Sequence, residues 1–178
     1  MNKNIVFILS GSVAVFKACS VISKLVQKGH NLKVIGTKNS LNFIGKSTIE
    51  AITGKPFLVD MFENNLSDPQ HIELSQWADV AILCPATANI INKMACGIAD
   101  DLPTTFFLSW EISKKPFLVF PAMNEKMYLH PITQSSIRKL SEIGVKIYEA
   151  EEGYLACKMK GKGRLMEPEK IIDIIASL

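Results

Sequence analysis

The sequence predicts one doubly wound α/β domain with a central parallel sheet. Three observations lead there: short apolar runs alternate with amphipathic segments, the first 35 residues read as a βαβ unit, and no composition shift divides the chain. Ile5 to Leu9 is an apolar strand ended by Ser10-Gly11-Ser12. In Val13 to Lys28 the residues Val13, Phe16, Val21, Ile22 and Leu25 fall near helical spacing. Gly29 closes that helix as a C-terminal cap does, and Leu32-Lys33-Val34-Ile35 restarts a strand, which makes the sheet parallel. Further strands are predicted at Val80 to Cys84, Phe117 to Phe120 and Val145 to Tyr148. Helices are predicted at Ala88 to Cys96, Ile132 to Ile143 and Pro168 to Ser177. Ala150 to Glu167 breaks the alternation, because Gly153, Gly161 and Gly163 interrupt a polar, basic stretch with little periodicity. It reads as a mobile loop, a flap over about residues 151–166.

A chain of 178 residues with 48% hydrophobic content buries roughly 70% of its unfolded surface and needs no disulfide or metal staple. The longest apolar runs are too short to span a bilayer and are broken by Pro85, Pro116 and Pro121, so no membrane role is expected. The first apolar run leads into a glycine turn and a patterned helix rather than a cleavage site, which reads as a strand and not a signal peptide. Cys19, Cys84, Cys96 and Cys157 are scattered without a C-x-x-C pair, which predicts reduced thiols and a cytoplasmic protein. His30, His71 and His130 are equally dispersed, and no metal is expected. The net charge of +3 is mild. Lys158, Lys160, Lys162 and Arg164 form one local basic cluster, which falls short of a nucleic-acid footprint.

In an open parallel sheet, ligands bind at the carboxyl ends of strands, where helix N-termini present N–H groups to anions. Gly11-Ser12-Val13-Ala14 after the first strand and Pro85-Ala86-Thr87-Ala88-Asn89 after the Val80 strand each place a hydroxyl at a helix start. Both can hold a phosphate, and both hydroxyls can equally be ordinary N-caps. A dinucleotide site would want G-x-G-x-x-G in the first turn and an acidic residue ending the second strand, whereas that strand ends Ile35-Gly36-Thr37-Lys38. A mononucleotide with one phosphate, such as FMN, suits this pattern better than NAD.

His71-Ile72-Glu73-Leu74, Trp77-Ala78-Asp79, Pro85-Ala86-Thr87-Ala88-Asn89 and Pro121-Ala122-Met123-Asn124 follow one another in this order, with Met127-Tyr128 and a glycine-rich segment around Cys157 behind them. Over nearly its whole length the chain thereby resembles the flavin-dependent, homo-oligomeric cysteine decarboxylases, and among them those acting on phosphopantothenoylcysteine. The resemblance implies a Rossmann-like flavoprotein fold. It implies an FMN site of Gly11, Ser12, Val13, Thr37, Ser40, Thr87, Ala88, Asn89 and Ala122. It assigns Asn124, Met127, Ala156, Lys158 and Arg164 to the substrate and gives His71 and Cys157 catalytic roles. The implied reaction starts with FMN oxidising the substrate's cysteine side chain to a thioaldehyde. Loss of CO2 gives an enethiolate, and protonation with return of hydride produces phosphopantetheine. Relatives assemble as trimers or dodecamers. The sequence stops soon after Pro168, so the ligase acting upstream is expected to be a separate protein.

The residue types suit these roles. A free thiol with pKa about 8.5 is mostly protonated near neutrality, which fits Cys157 as a proton donor, while Lys158 and Lys160 beside it would turn toward a substrate phosphate. A neutral amide at Asn124 orients a carboxylate without the ground-state stabilisation an Arg would give a charge about to be lost; the same Asn can cap a helix. The His71 imidazole can act as a base or hydrogen-bond donor, or simply as a structural histidine. Two positions depart from the family pattern: Lys158 stands where many relatives have Gly, and Tyr128 stands where some have Trp. Competing readings are a peptidyl-cysteine decarboxylase, a flavin prenyltransferase, which would lack the His71 and Asn124 motifs as placed here, and a catalytically silent FMN-binding regulator.

Overall fold

The computed structural model describes residues 2–62, 70–156 and 158–178. In chain order, β1 (Asn4–Leu9) leads to α1 (Val15–Gln27) and β2 (Asn31–Gly36). A 3-10 turn (Lys38–Asn42), α2 (Lys46–Thr53), β3 (Phe57–Leu58), α3 (Gln70–Trp77) and β4 (Val80–Ala86) follow. Next come α4 (Ala88–Ala95), α5 (Leu102–Ser109), β5 (Phe117–Pro121), α6 (Glu125–Tyr128), α7 (Pro131–Glu142) and β6 (Lys146–Ile147). A hairpin of β7 (Glu151–Tyr154) and β8 (Lys160–Arg164) precedes α8 (Pro168–Ala176).

Six strands form one parallel sheet in the order β3-β2-β1-β4-β5-β6. Side chains alternate across the pleat, so each strand feeds two cores. Ile5, Phe7 and Leu9 of β1 pack with Val15, Val21, Ile22, Ile49, Ile171 and Ile175 on the face covered by α1, α2 and α8. Val6 and Ile8 pack with Leu74, Ile90, Ile91, Phe106 and Leu140 on the face covered by α3, α4, α5 and α7. Burial on both faces explains why the inner strands read as unbroken apolar runs. The doubly wound architecture is therefore as predicted, and all five predicted strands are present.

Several elements differ from the sequence reading. The predicted β4 stops at Cys84 but the strand continues to Ala86, and its register to β5 shifts between Leu83 and Ala86, where Pro85 offers no ladder donor. Of the residues at helical spacing, Val13, which precedes α1, and Phe16 in its first turn are 51% and 64% exposed, while Val15, Ala18, Val21, Ile22 and Leu25 are buried. Two periodic positions thus point off the sheet. The segment read as an irregular loop is an antiparallel hairpin, with Gly153 opposite Gly161 and Tyr154 opposite Lys160. Its strands carry no apolar alternation because they pack by backbone approach at glycines instead of by side-chain burial.

The chain runs from β1 outward to β3, then returns to β4 beside β1 and continues outward the other way. The carboxyl ends of β1 and β4 therefore flank the topological switch point, where open α/β sheets bind ligands.

Candidate active site

The loops after β1 and β4 are tied together by Ser10, whose side chain is buried. Its Oγ donates to the Pro85 carbonyl at 2.6 Å and accepts from the Thr87 N–H at 3.1 Å. The β2 loop joins them: the Thr37 N–H donates to the Leu9 carbonyl at 2.9 Å, and a Cβ on Gly11 would stand 2.7 Å from the Asn39 Cβ. Glycine at position 11 is thus required by the close approach of two loops. The β5 loop enters through the Ala122 N–H, which donates to the Ala86 carbonyl at 2.9 Å.

These loops enclose a cavity of about 280 Å³ lined by Gly11, Ser12, Thr37, Asn39, Thr87, Asn89, Ala122, Met123 and Met127. Its wall is rich in hydroxyls and amides. Ser12 Oγ accepts from the Ala14 N–H at 3.3 Å just ahead of α1, and Thr87 occupies the N-cap position of α4 without a side-chain capping bond. The donors at two helix starts fit a phosphate-bearing cofactor. Of the residues assigned to FMN, Gly11, Ser12, Thr37, Thr87, Asn89 and Ala122 line this cavity. Val13 lines the neighbouring one. Ser40 is fully buried with its Oγ donating to the Thr37 carbonyl at 2.6 Å, so it holds the turn rather than the wall. Ala88 is buried in the first turn of α4 and lines neither cavity.

A larger cavity of about 500 Å³ adjoins the first and shares Ser12, Ala122 and Met123 with it. Its walls come from the start of α1, from Asn124, and from the hairpin residues Tyr154, Leu155, Ala156, Gly163, Arg164 and Leu165. Asn124 is the N-cap of α6, with Oδ1 accepting from the Lys126 N–H at 2.9 Å, so the capping role and a place on the cavity wall coexist. Tyr128, the departure from Trp, is buried, and its hydroxyl accepts from the Ala150 N–H at 3.4 Å.

Charge is concentrated at one end of this cavity. Lys17 Nζ lies 3.1 Å from a Glu167 carboxylate oxygen, and Arg164 pairs with the same carboxylate. The bonded Lys17 holds the Glu167 carboxyl below its usual range, with Arg164 and Lys170 adding to the effect. Lys17 lies on α1, far in sequence from the basic cluster, and only the fold brings it to Arg164. The rest of that cluster is engaged elsewhere: Lys160 Nζ sits 5.5 Å from the Tyr154 ring centroid and Lys162 Nζ lies 2.8 Å from Glu149. Lys158 is exposed in the hairpin turn with φ +62 and lines neither cavity. That φ accounts for glycine being suited to its position.

His71 lies on α3 and is not among the lining residues of either cavity. Its carbonyl accepts from Ser109 Oγ at 3.1 Å. Cys157 lies outside the described residues. Cys19, Cys84 and Cys96 are unpaired, and burial pushes the Cys84 thiol far up. Among the described residues no group of His, Cys, Asp and Glu could hold a metal ion, and no helix is long and apolar enough to cross a membrane.

The chain is similar to proteins of known name. The coenzyme A biosynthesis bifunctional protein CoaBC of Bacillus subtilis is 45% identical over 174 residues, covering 97% of this chain and 42% of that protein. Its counterpart from Mycobacterium tuberculosis is 37% identical over 172 residues, covering 97% and 40%. The chain thus spans less than half the length of these curated relatives. Among solved structures, a mutant PPC decarboxylase complexed with pantothenoylaminoethenethiol superposes with a TM-score of 0.88 at 30% identity, covering 99% of this chain and 98% of that one. The epidermin biosynthesis protein EpiD from Staphylococcus aureus gives 0.83 at 32% identity, covering 97% and 99%. The model of the family described as Flavoprotein matches residues 1–178. With sequence, sheet topology and switch-point cavity in agreement, the chain belongs to the Flavoprotein family.

Proposed function

We propose that the chain binds FMN and decarboxylates 4'-phosphopantothenoylcysteine to 4'-phosphopantetheine in coenzyme A biosynthesis. The observation that carries this reading is the pair of adjoining cavities. One is a polar cradle at two helix starts, and the other is a larger chamber with two cations at one end; they share the wall of Ser12, Ala122 and Met123. The superposition on a PPC decarboxylase over 99% of the chain supports the same reading.

Gly11, Ser12, Thr37, Thr87, Asn89 and Ala122 would hold the flavin, which when bound supplies reversible two-electron oxidation of the substrate's cysteine carbon-sulfur unit. The chain's own groups do the rest. Asn124, fixed by its capping bond, orients the leaving carboxylate as a neutral amide and so does not overstabilise the charged ground state. Lys17 and Arg164 receive the substrate phosphate, exchanging part of their pairing with Glu167 for it. Ala156 bounds the substrate chamber, whereas Met127, expected beside the substrate, lines the smaller cradle and can meet the substrate only where the two cavities join. Lys158 adds positive charge at the hairpin turn, and Cys157 gives up the proton taken up after CO2 is lost. The strands β7 and β8 belong to the flap expected over about residues 151–166, which covers the substrate.

His71 lies outside both cavities of its own chain, so its catalytic role here requires a homo-oligomer in which another copy's His71 completes the site; without one it is a structural histidine. A cytoplasmic location accords with this metabolic role. A separate upstream ligase gains no support from the CoaBC relatives, which are named as bifunctional.

A second reading, decarboxylation of peptides ending in cysteine, is favoured by the likeness to EpiD, a structure of which is named as a peptidyl-cysteine decarboxylase. Mass spectrometry separates the two. The purified, FMN-loaded protein should convert phosphopantothenoylcysteine with loss of one CO2 and leave cysteine-ended peptides unchanged. The reverse pattern would establish the peptide enzyme, and FMN binding without turnover of either would establish a silent regulator.

A further inference from the structure

The hairpin meets the rest of the domain along the segment after β5, and glycines make that contact possible. The Met123 N–H donates to the Gly163 carbonyl at 2.9 Å. A Cβ on Gly163 would stand 2.2 Å from the Met123 carbonyl oxygen, and its φ of +147 is itself a glycine conformation. Two residues earlier, a Cβ on Gly161 would stand 2.7 Å from the Glu125 Cδ and 2.8 Å from each carboxylate oxygen. Glu125 Oε1 accepts from the Lys162 N–H at 2.7 Å.

This arrangement explains the sequence Lys160-Gly161-Lys162-Gly163-Arg164, which has a period of two without any apolar residue. The glycines face the segment 123–125 and let the backbone close on it. The basic side chains turn to other partners: Lys160 to the Tyr154 ring, Lys162 to Glu149 and Arg164 to Glu167. A two-stranded hairpin has unpaired edges, and Glu125 supplies an acceptor for one edge N–H where, among the described residues, no third strand pairs. The acceptor is a carboxylate, so the bond is stronger than a neutral one.

We infer that Glu125 is a positioning residue for the proposed decarboxylation. Its carboxylate fixes the β8 backbone so that the hairpin wall and Asn124 face each other across the larger cavity. Glu125 lines neither cavity. It acts through β8, which carries Gly163 and Arg164 of the cavity wall, and it adjoins Asn124 in the chain. The catalytic consequence rests on the decarboxylase reading, while the structural one does not.

The test uses the full, FMN-loaded protein with Glu125→Ala and Glu125→Gln, read by amide hydrogen exchange over residues 151–164 without substrate and by KM and kcat for decarboxylation. Loss of one charged-acceptor bond should speed exchange of the β8 amides by about tenfold in Glu125→Ala and raise KM by a similar factor, with kcat changing less. Glu125→Gln keeps an accepting oxygen and should stay within about threefold of native on both readouts. Unchanged β8 exchange in Glu125→Ala overturns the inference, as does a fall in kcat at constant KM or a Gln variant as impaired as Ala. Should Glu125→Ala not fold, Gly161→Ala, which crowds the carboxylate, must speed the same exchange, and unchanged exchange there overturns the inference equally. The exchange result stands whatever the substrate proves to be.

Discussion

Removing the Ser10 hydroxyl should damage stability and cofactor binding together. Ser10 Oγ sits between the Pro85 carbonyl at 2.6 Å and the Thr87 N–H at 3.1 Å, in a side chain 1% exposed. Ser10→Ala leaves a buried acceptor and a mostly buried donor without that partner. Each bond contributes about 1 kcal/mol net, and an orphaned buried group costs more, so the loss is about 2 kcal/mol. For a chain of this size that lowers the apoprotein melting temperature by about 6 °C. The same bonds set the spacing of the β1 and β4 loops around the cradle, so FMN affinity, followed by flavin fluorescence quenching, should fall by about tenfold or more. Ser12→Ala is the contrast. Its Oγ makes one long bond, 3.3 Å to the Ala14 N–H, in a half-buried setting. It should cost under about 1 kcal/mol of stability yet weaken FMN binding through loss of a lining hydroxyl. If Ser10→Ala melts with the native protein, or binds FMN as tightly, the two-loop tie is not what shapes the cradle.

Three further outcomes follow from particular contacts. Lys158→Gly should raise stability by up to about 1 kcal/mol in chemical denaturation, because Lys158 holds φ +62. Lys17→Met and Arg164→Met should each weaken the phosphorylated substrate by about tenfold or more in KM while changing the dephosphorylated analogue little; an equal loss on both would contradict the assigned phosphate end. Glu167 has its carboxyl lowered by Lys17, so the unfolded state binds its proton more readily. The stabilisation is therefore complete above the ordinary glutamate value of 4.5 and fades as pH falls through the lower folded-state value. Proteolysis of the apoprotein should accordingly attack the hairpin and α8 junction more readily toward the acid end of that window, and Glu167→Gln should flatten this dependence.

The sheet was legible because its strands are buried on both faces. Val80 to Cys84 and Phe117 to Phe120 are apolar whatever their register, and Gly29 marks the end of α1 by its positive φ. β3 was not legible, since two residues, Phe57 and Leu58, carry no period. The hairpin escaped for a different reason: its alternation is of glycine against base, a pattern set by backbone approach to Met123 and Glu125 and not by hydrophobic burial. Helical spacing grouped Val13 and Phe16 with Val21, Ile22 and Leu25, yet both are exposed, because spacing reports which face a residue shares and not where the sheet stops covering that face. At the site, the hydroxyls after β1 and β4 were found from strand-loop-helix order alone. Lys17 was not, because it lies in the first turn of α1 and gains its meaning from Glu167 and Arg164, about 150 residues away. Ser10 was passed over as part of a turn, although its two bonds join the loops of the cradle.

The most direct test of the central claim is conversion of phosphopantothenoylcysteine by the purified, FMN-loaded chain, followed by mass spectrometry beside the Asn124→Asp variant. The account predicts phosphopantetheine with loss of one CO2 from the native protein and strongly reduced product from the variant, because a second negative charge replaces the amide that orients the carboxylate. A yellow protein that leaves this substrate intact, or a variant as active as the native chain, would contradict it.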